Sequence, residues 1–156
     1  MDRVRSFVAI ELPDAVRREL AHTQATIRKE MTSPERPGEA GSRSVKWVDP
    51  MGIHLTLKFL GSVPAADLPA VEEAIRRAVR VARPFTLVLS ELGVFPGWSR
   101  PRVIWVGVEE AGSRCLGPLQ ETIEQELGEL GFAREARAFS PHLTLARLRE
   151  AASPEE

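Results

Sequence analysis

A chain of 156 residues with 43% hydrophobic and 28% charged residues has the balance of a folded globular protein and fits a single domain. A formal charge of −1 argues against a protein that coats DNA through bulk positive charge, and no apolar run approaches the roughly 20 residues of a membrane helix. A lone Cys115 excludes a disulfide framework and a cysteine-rich metal site, and the start of the chain lacks a signal-peptide core, so a cytoplasmic location is expected.

Residues 6–12 (SFVAIEL) read as a strand closed by Pro13. Pro13 and Asp14 open a helix to about residue 31, marked by Val16, Leu20, Ile27 and Met31. Residues 32–44, rich in Pro, Gly and Ser, read as a loop, and residues 45–48 as a short extended piece. Residues 54–60 alternate strictly and read as a strand ended by Gly61. Leu68, Val71, Ile75 and Val79 mark a second helix over about 66–82. Residues 85–89 and 102–108 read as strands, joined through the turn-rich stretch 96–101. Leu116, Leu119, Ile123, Leu127 and Leu130 mark a third helix ended near Gly131. Residues 142–148 form the last strand, and a frayed tail is expected after Glu150.

The order strand, helix, strand occurs twice. RVRSFVAIEL, a helix and HLTLKFL match RPRVIWVGVEE, a helix and HLTLARL. Ile10 to His54 spans 44 residues and Val108 to His142 spans 34, the difference being close to the length of the 32–44 loop. The repeat predicts an α+β fold: one domain over residues 1–156, built from two pseudo-symmetric lobes. Mainly antiparallel sheets would surround a central cleft, with helices outside.

The chemistry centres on His54-Leu55-Thr56-Leu57 and His142-Leu143-Thr144-Leu145. Strand alternation puts His and Thr on one face and the two leucines on the other. The leucines can anchor each strand while the polar pair faces a cleft. With 16 Leu and 7 Thr in the chain, a given His is followed by Leu-Thr-Leu roughly five times in ten thousand on composition alone. Two of the three histidines carry it. An imidazole takes or gives a proton near neutral pH, and a threonine hydroxyl two residues on can donate to a phosphate oxygen. Such a pair suits in-line displacement at phosphorus, with a base on one side and an acid on the other. Two histidines without nearby Asp, Glu or Cys make a poor zinc site, so no metal is expected. Neither a nucleophile elbow nor a P-loop is present.

At these residues the chain resembles the 2H phosphoesterase superfamily, and within it the RNA 2′,3′-cyclic phosphodiesterases, also called 2′-5′ RNA ligase-like proteins. The resemblance extends through RSFVAIELP, VKWVDPMGIHLTLKFLGSV, PRVIWVGV and SPHLTLARL, nearly the whole chain. It implies metal-independent, cofactor-free hydrolysis of 2′,3′-cyclic phosphate ends on RNA or nucleotides, leaving a 2′-phosphate, with 2′-5′ ligation as the reverse kind of transfer. It casts His54 and His142 as the acid–base pair, with His142 as base and His54 as acid by analogy, and Thr56 and Thr144 as phosphate donors. It also places a phosphate-binding arginine in HLTLAR, at Arg147. In a regular strand Arg147 would lie on the face opposite His142, so a bulge would be needed to re-aim it. The alternative for Arg147 is a solvated surface charge.

Phe7 either stacks a base on a cleft floor or packs in the core. Trp98, in a turn, suits a base-stacking rim; Trp47 and Trp105 read as core, His22 as surface and Lys58 as a rim charge. Cys115 has no neighbours that suggest a nucleophile. The chain is expected to act as a monomer, without a membrane, on RNA ends or nucleotides. Two other readings stay open: a small-molecule phosphodiesterase acting on an ADP-ribose cyclic phosphate, and a non-catalytic RNA- or nucleotide-binding module.

Overall fold

Every expected helix and strand occurs, in the expected order, in the computed structural model, which describes residues 2–31 and 43–150. Most of the 32–44 loop and the tail after Glu150 lie outside the described residues. The elements are β1 (Arg3–Ile10), α1 (Asp14–Met31), β2 (Arg43–Trp47), β3 (Leu55–Pro64), α2 (Leu68–Arg80), β4 (Leu87–Phe95), β5 (Val103–Glu110), α3 (Leu116–Glu129) and β6 (His142–Glu150). The fold is α+β. β1 pairs antiparallel with β3, and a second sheet has the order β2-β6-β5-β4, with β6 antiparallel to both β2 and β5. No helix among the described residues is long and apolar enough to cross a membrane.

The chain divides into two compact units. One holds β1, β3, α2 and α3; the other holds α1, β2 and β6, and β4 and β5 contribute to both. Each unit therefore combines the Leu-Thr-Leu strand of one repeat, β3 or β6, with the helix of the other. In the first unit, α2 buries Val71, Ala74 and Ala78 on one stripe, and α3 buries Leu116, Ile123 and Leu127. α2 packs on α3, where Arg77 Nε also reaches Glu126 at 3.0 Å. In the second unit, α1 buries Leu20 and Gln24, while β5 and β6 bury Ile104, Val106, Leu143, Leu145 and Ala146.

Two expected features are corrected. Gly61 does not end its strand. It lies inside β3 with φ 72°, where the register with β1 shifts between Ser6 and Phe7, a conformation that glycine adopts without a Cβ penalty. Lys58 is not a rim charge. Its side chain is 3% exposed and its ammonium donates to both carboxylate oxygens of Glu124, at 3.0 and 3.1 Å, and to Ala133 O at 2.8 Å.

The start of α3 is held by Glu110, whose carboxylate accepts the Cys115 N–H (2.6 Å), the Leu116 N–H (2.5 Å) and the Ser113 hydroxyl (2.7 Å). The Cys115 backbone bond, foremost, draws its pKa below the usual value, against a smaller desolvation effect. A carboxyl with a lower pKa folded than unfolded stabilises the protein above the unfolded value, about 4.3, and this is lost as pH falls through the folded one. Glu110→Gln is therefore expected to lower the urea midpoint at neutral pH, with the gap to wild type closing in the acid limb. A gap independent of pH would show that the charge of Glu110 plays no part.

Candidate active site

His54 follows a 3-10 turn over Pro50–Gly52, which Asp49 caps by accepting the Met51 N–H at 2.9 Å. The turn delivers His54 between buried Ile53 and buried Leu55, so the imidazole is left half-buried. His142 opens β6 opposite Gly107 of β5, again followed by a buried leucine. The Phe95 ring meets the His142 ring edge-on at 5.2 Å between centroids, and the Trp105 ring lies at 6.2 Å. Trp105 is thus a half-buried neighbour of His142 rather than a core residue, packed against Phe95 at 4.9 Å. Its indole covers Gly93, where a Cβ would collide with the ring. Trp47 is likewise half-buried, with the Arg28 guanidinium 5.3 Å above its ring. His54 and His142 both belong to the second unit.

Thr56 and Thr144 are half-buried between buried leucines, as alternation requires. Thr56 stands opposite Ala9 and Thr144 opposite Trp105. These registers make Ala9 equivalent to Trp105 and Ile10 to Val106, in place of the Ile10–Val108 match suggested by the sequence.

Both copies then break alternation at the same residue. Against β1, β3 passes from Thr56 to Lys58 while β1 passes from Ala9 to Val8, leaving Leu57 unpaired. Against β5, β6 passes from Thr144 to Ala146 while β5 passes from Trp105 to Ile104, leaving Leu145 unpaired. Each is a β-bulge at the second leucine of the motif. Burial follows it: Leu57 and Lys58 are both buried before Phe59 emerges, and Leu145 and Ala146 are both buried before Arg147 emerges. Alternation resumes one residue out of step, so Phe59 falls in phase with Thr56, and Arg147 with Thr144 and His142. The same slip turns Lys58 onto the leucine face.

Arg147 is exposed and stands across from Lys46 of β2, also exposed. Among the described residues neither makes an ion pair, and two opposed cations on neighbouring strands favour an anion between them. Phe7 is 46% exposed, which excludes the core reading, and its ring lies 6.4 Å from Phe59, directly opposite and 70% exposed. Trp98 is 77% exposed. His22 is exposed, as expected, and Cys115 is a half-buried free thiol. Phe59, Phe95 and Lys46 were not legible as site residues. Parity alone puts Phe59 on the leucine face, only strand pairing reveals Lys46, and only the ring contact with His142 reveals Phe95. Among the described residues, no three His, Cys, Asp or Glu side chains gather into a set able to hold a metal ion.

Residues 42–156 match the model of the 2′-5′ RNA ligase superfamily. The chain is 32% identical over 147 residues to an RNA 2′,3′-cyclic phosphodiesterase of Methanothermobacter thermautotrophicus, covering 94% of this chain and 72% of the relative. Its fold is similar to the crystal structure of a Thermus thermophilus protein, TT0787, with a TM-score of 0.75 and 32% identity over 97% of this chain and 78% of that one. It is also similar to E. coli LigT complexed with 3′-AMP, with a TM-score of 0.69 and 28% identity over 99% of this chain and 78% of LigT. The doubled motif, the antiparallel α+β fold and these matches agree, and the chain belongs to the 2′-5′ RNA ligase superfamily of 2H phosphoesterases.

Proposed function

We propose that this protein is an RNA 2′,3′-cyclic phosphodiesterase that opens the cyclic phosphate by paired-histidine acid–base catalysis and leaves a 2′-phosphate. The enzyme class is that of its curated relatives at comparable identity over most of the chain. The observation that carries the mechanism is the matched build of the two motifs. In each, buried leucines hold a half-buried His and Thr, and a bulge follows at the same residue.

In this reading His142 takes a proton from water as the oxygen attacks phosphorus. The bond from phosphorus to the 3′ oxygen breaks, and His54 gives that oxygen its proton. The Thr56 and Thr144 hydroxyls donate to non-bridging oxygens, and Arg147, beside Lys46, meets the negative charge. The Phe7–Phe59 pair offers an exposed aromatic surface for a base, in keeping with a LigT neighbour that takes 3′-AMP. With the 5′ hydroxyl of a second RNA end in place of water, the same displacement of the 3′ oxygen joins the ends by a 2′-5′ bond, and its reverse re-forms the cyclic phosphate.

End-mapping of the product from an oligonucleotide ending in a 2′,3′-cyclic phosphate tests this. A 2′-phosphate is expected. A 3′-phosphate would mean that the 2′ oxygen leaves and would reverse the assignment; binding without turnover would make the protein a binding module.

A further inference from the structure

The two bulges share a feature that the family assignment does not supply. A bulge leaves one residue out of the ladder with the neighbouring strand, and a side chain bonded to its carbonyl can hold the irregular register. Gln24 of α1 donates from Nε2 to Leu145 O at 3.0 Å, a carbonyl that also accepts the Val48 N–H at 2.9 Å, and to Val48 O at 2.7 Å, so one amide ties the bulge to the end of β2. Gln120 of α3 donates from Nε2 to Leu57 O at 3.3 Å. Leu145 and Leu57 are the bulged residues. Both glutamines are buried, 8% and 9% exposed, although glutamine is ordinarily a surface residue. Each lies one helical turn after a buried leucine, Leu20 or Leu116, and the two Leu-x-x-x-Gln pairs stand at the same chain distance from Ala9 and Trp105. The arrangement therefore occurs twice at equivalent places in the repeat.

We propose that Gln24 and Gln120 are positioning residues that select the bulged register of the two motif strands, and so decide which side chain follows His and Thr onto the working face. With the bulge, Arg147 follows Thr144; in a regular strand Ala146 would take that place and Arg147 would turn to the leucine side. In the other copy the bulge presents Phe59 and keeps Lys58 on Glu124. Gln24 thus acts on substrate affinity through Arg147. The inference rests on the reading that the His and Thr face handles the phosphate.

Gln24→Met keeps length and bulk and removes the donor. In a protein whose circular dichroism and thermal unfolding still report a cooperative fold, KM for a cyclic-phosphate oligonucleotide is expected to rise about tenfold, the scale of a lost charged hydrogen bond, with kcat changed less. In an Arg147→Ala background the same substitution is expected to add less than about twofold, because the residue it positions is gone. A merely structural glutamine would give losses that multiply. Multiplying losses, or an unchanged KM in folded Gln24→Met protein, would overturn the proposal. If Gln24→Met does not fold, Gln24→Asn, whose shorter side chain draws the amide back from Leu145 O, carries the same expectation and the same refutation. Failure of the underlying reading shows separately, as undiminished turnover in His142→Ala.

Discussion

His54→Ala and His142→Ala are each expected to lower turnover of a 2′,3′-cyclic phosphate by about 100- to 10,000-fold, the range for loss of a positioned acid or base. Both variants should fold. The strands are anchored by Leu55, Leu57, Leu143 and Leu145, all buried, while both imidazoles are half-buried. His142 has ring contacts to Phe95 and Trp105, so its variant loses some packing as well, on the order of 1 kcal/mol. That is small beside the kinetic loss and is checked by thermal unfolding. Near wild-type turnover in either variant, with wild-type contamination excluded, would show that this histidine is neither acid nor base. Thr56→Val and Thr144→Val remove one neutral donor each and should cost less.

The second large effect falls on stability. The Lys58 and Glu124 side chains are each 3% exposed and meet through two hydrogen bonds, with Ala133 O and the Gln120 amide completing the network. Removing one partner leaves a buried charge without its counterion. Glu124→Leu is expected to destabilise the protein by about 3–5 kcal/mol, and Lys58→Met by a similar amount. The double variant removes both charges and should recover most of the loss, since apolar groups of similar volume replace the pair. Urea unfolding of the three proteins measures the cycle. A double variant as unstable as the sum of the singles would show that the pair does not interact as the geometry says.

The sequence disclosed the repeat because His, Leu and Thr recur at fixed spacing, and strand alternation correctly assigned the leucines to the buried face. The first helix, Asp14–Met31, was legible from Pro13-Asp14 to about residue 31, because Pro13 and Asp14 mark its start. The bulges were not legible. No residue type marks them: the bulged residue in each copy is an ordinary leucine, and only pairing with β1 and β5 reveals the extra residue. From that one gap came the placement of Lys58 on the surface and the unresolved direction of Arg147. Gly61 was read as a strand end because glycine breaks strands, although here its positive φ serves a register shift within β3. The exchange of helices between the repeats was equally hidden, because the sequence shows which elements recur but not which copy each packs against.

The central claim is that two imidazoles in opposite protonation states carry the reaction. The most direct measurement is the rate of multiple turnover on a cyclic-ended oligonucleotide, across pH, by protein exhaustively treated with chelator. The account predicts an undiminished rate and a profile that rises and then falls with pH, since one ring must be neutral while the other is protonated. Activity lost on chelation and restored by one particular divalent metal would make the histidines ligands and contradict the account.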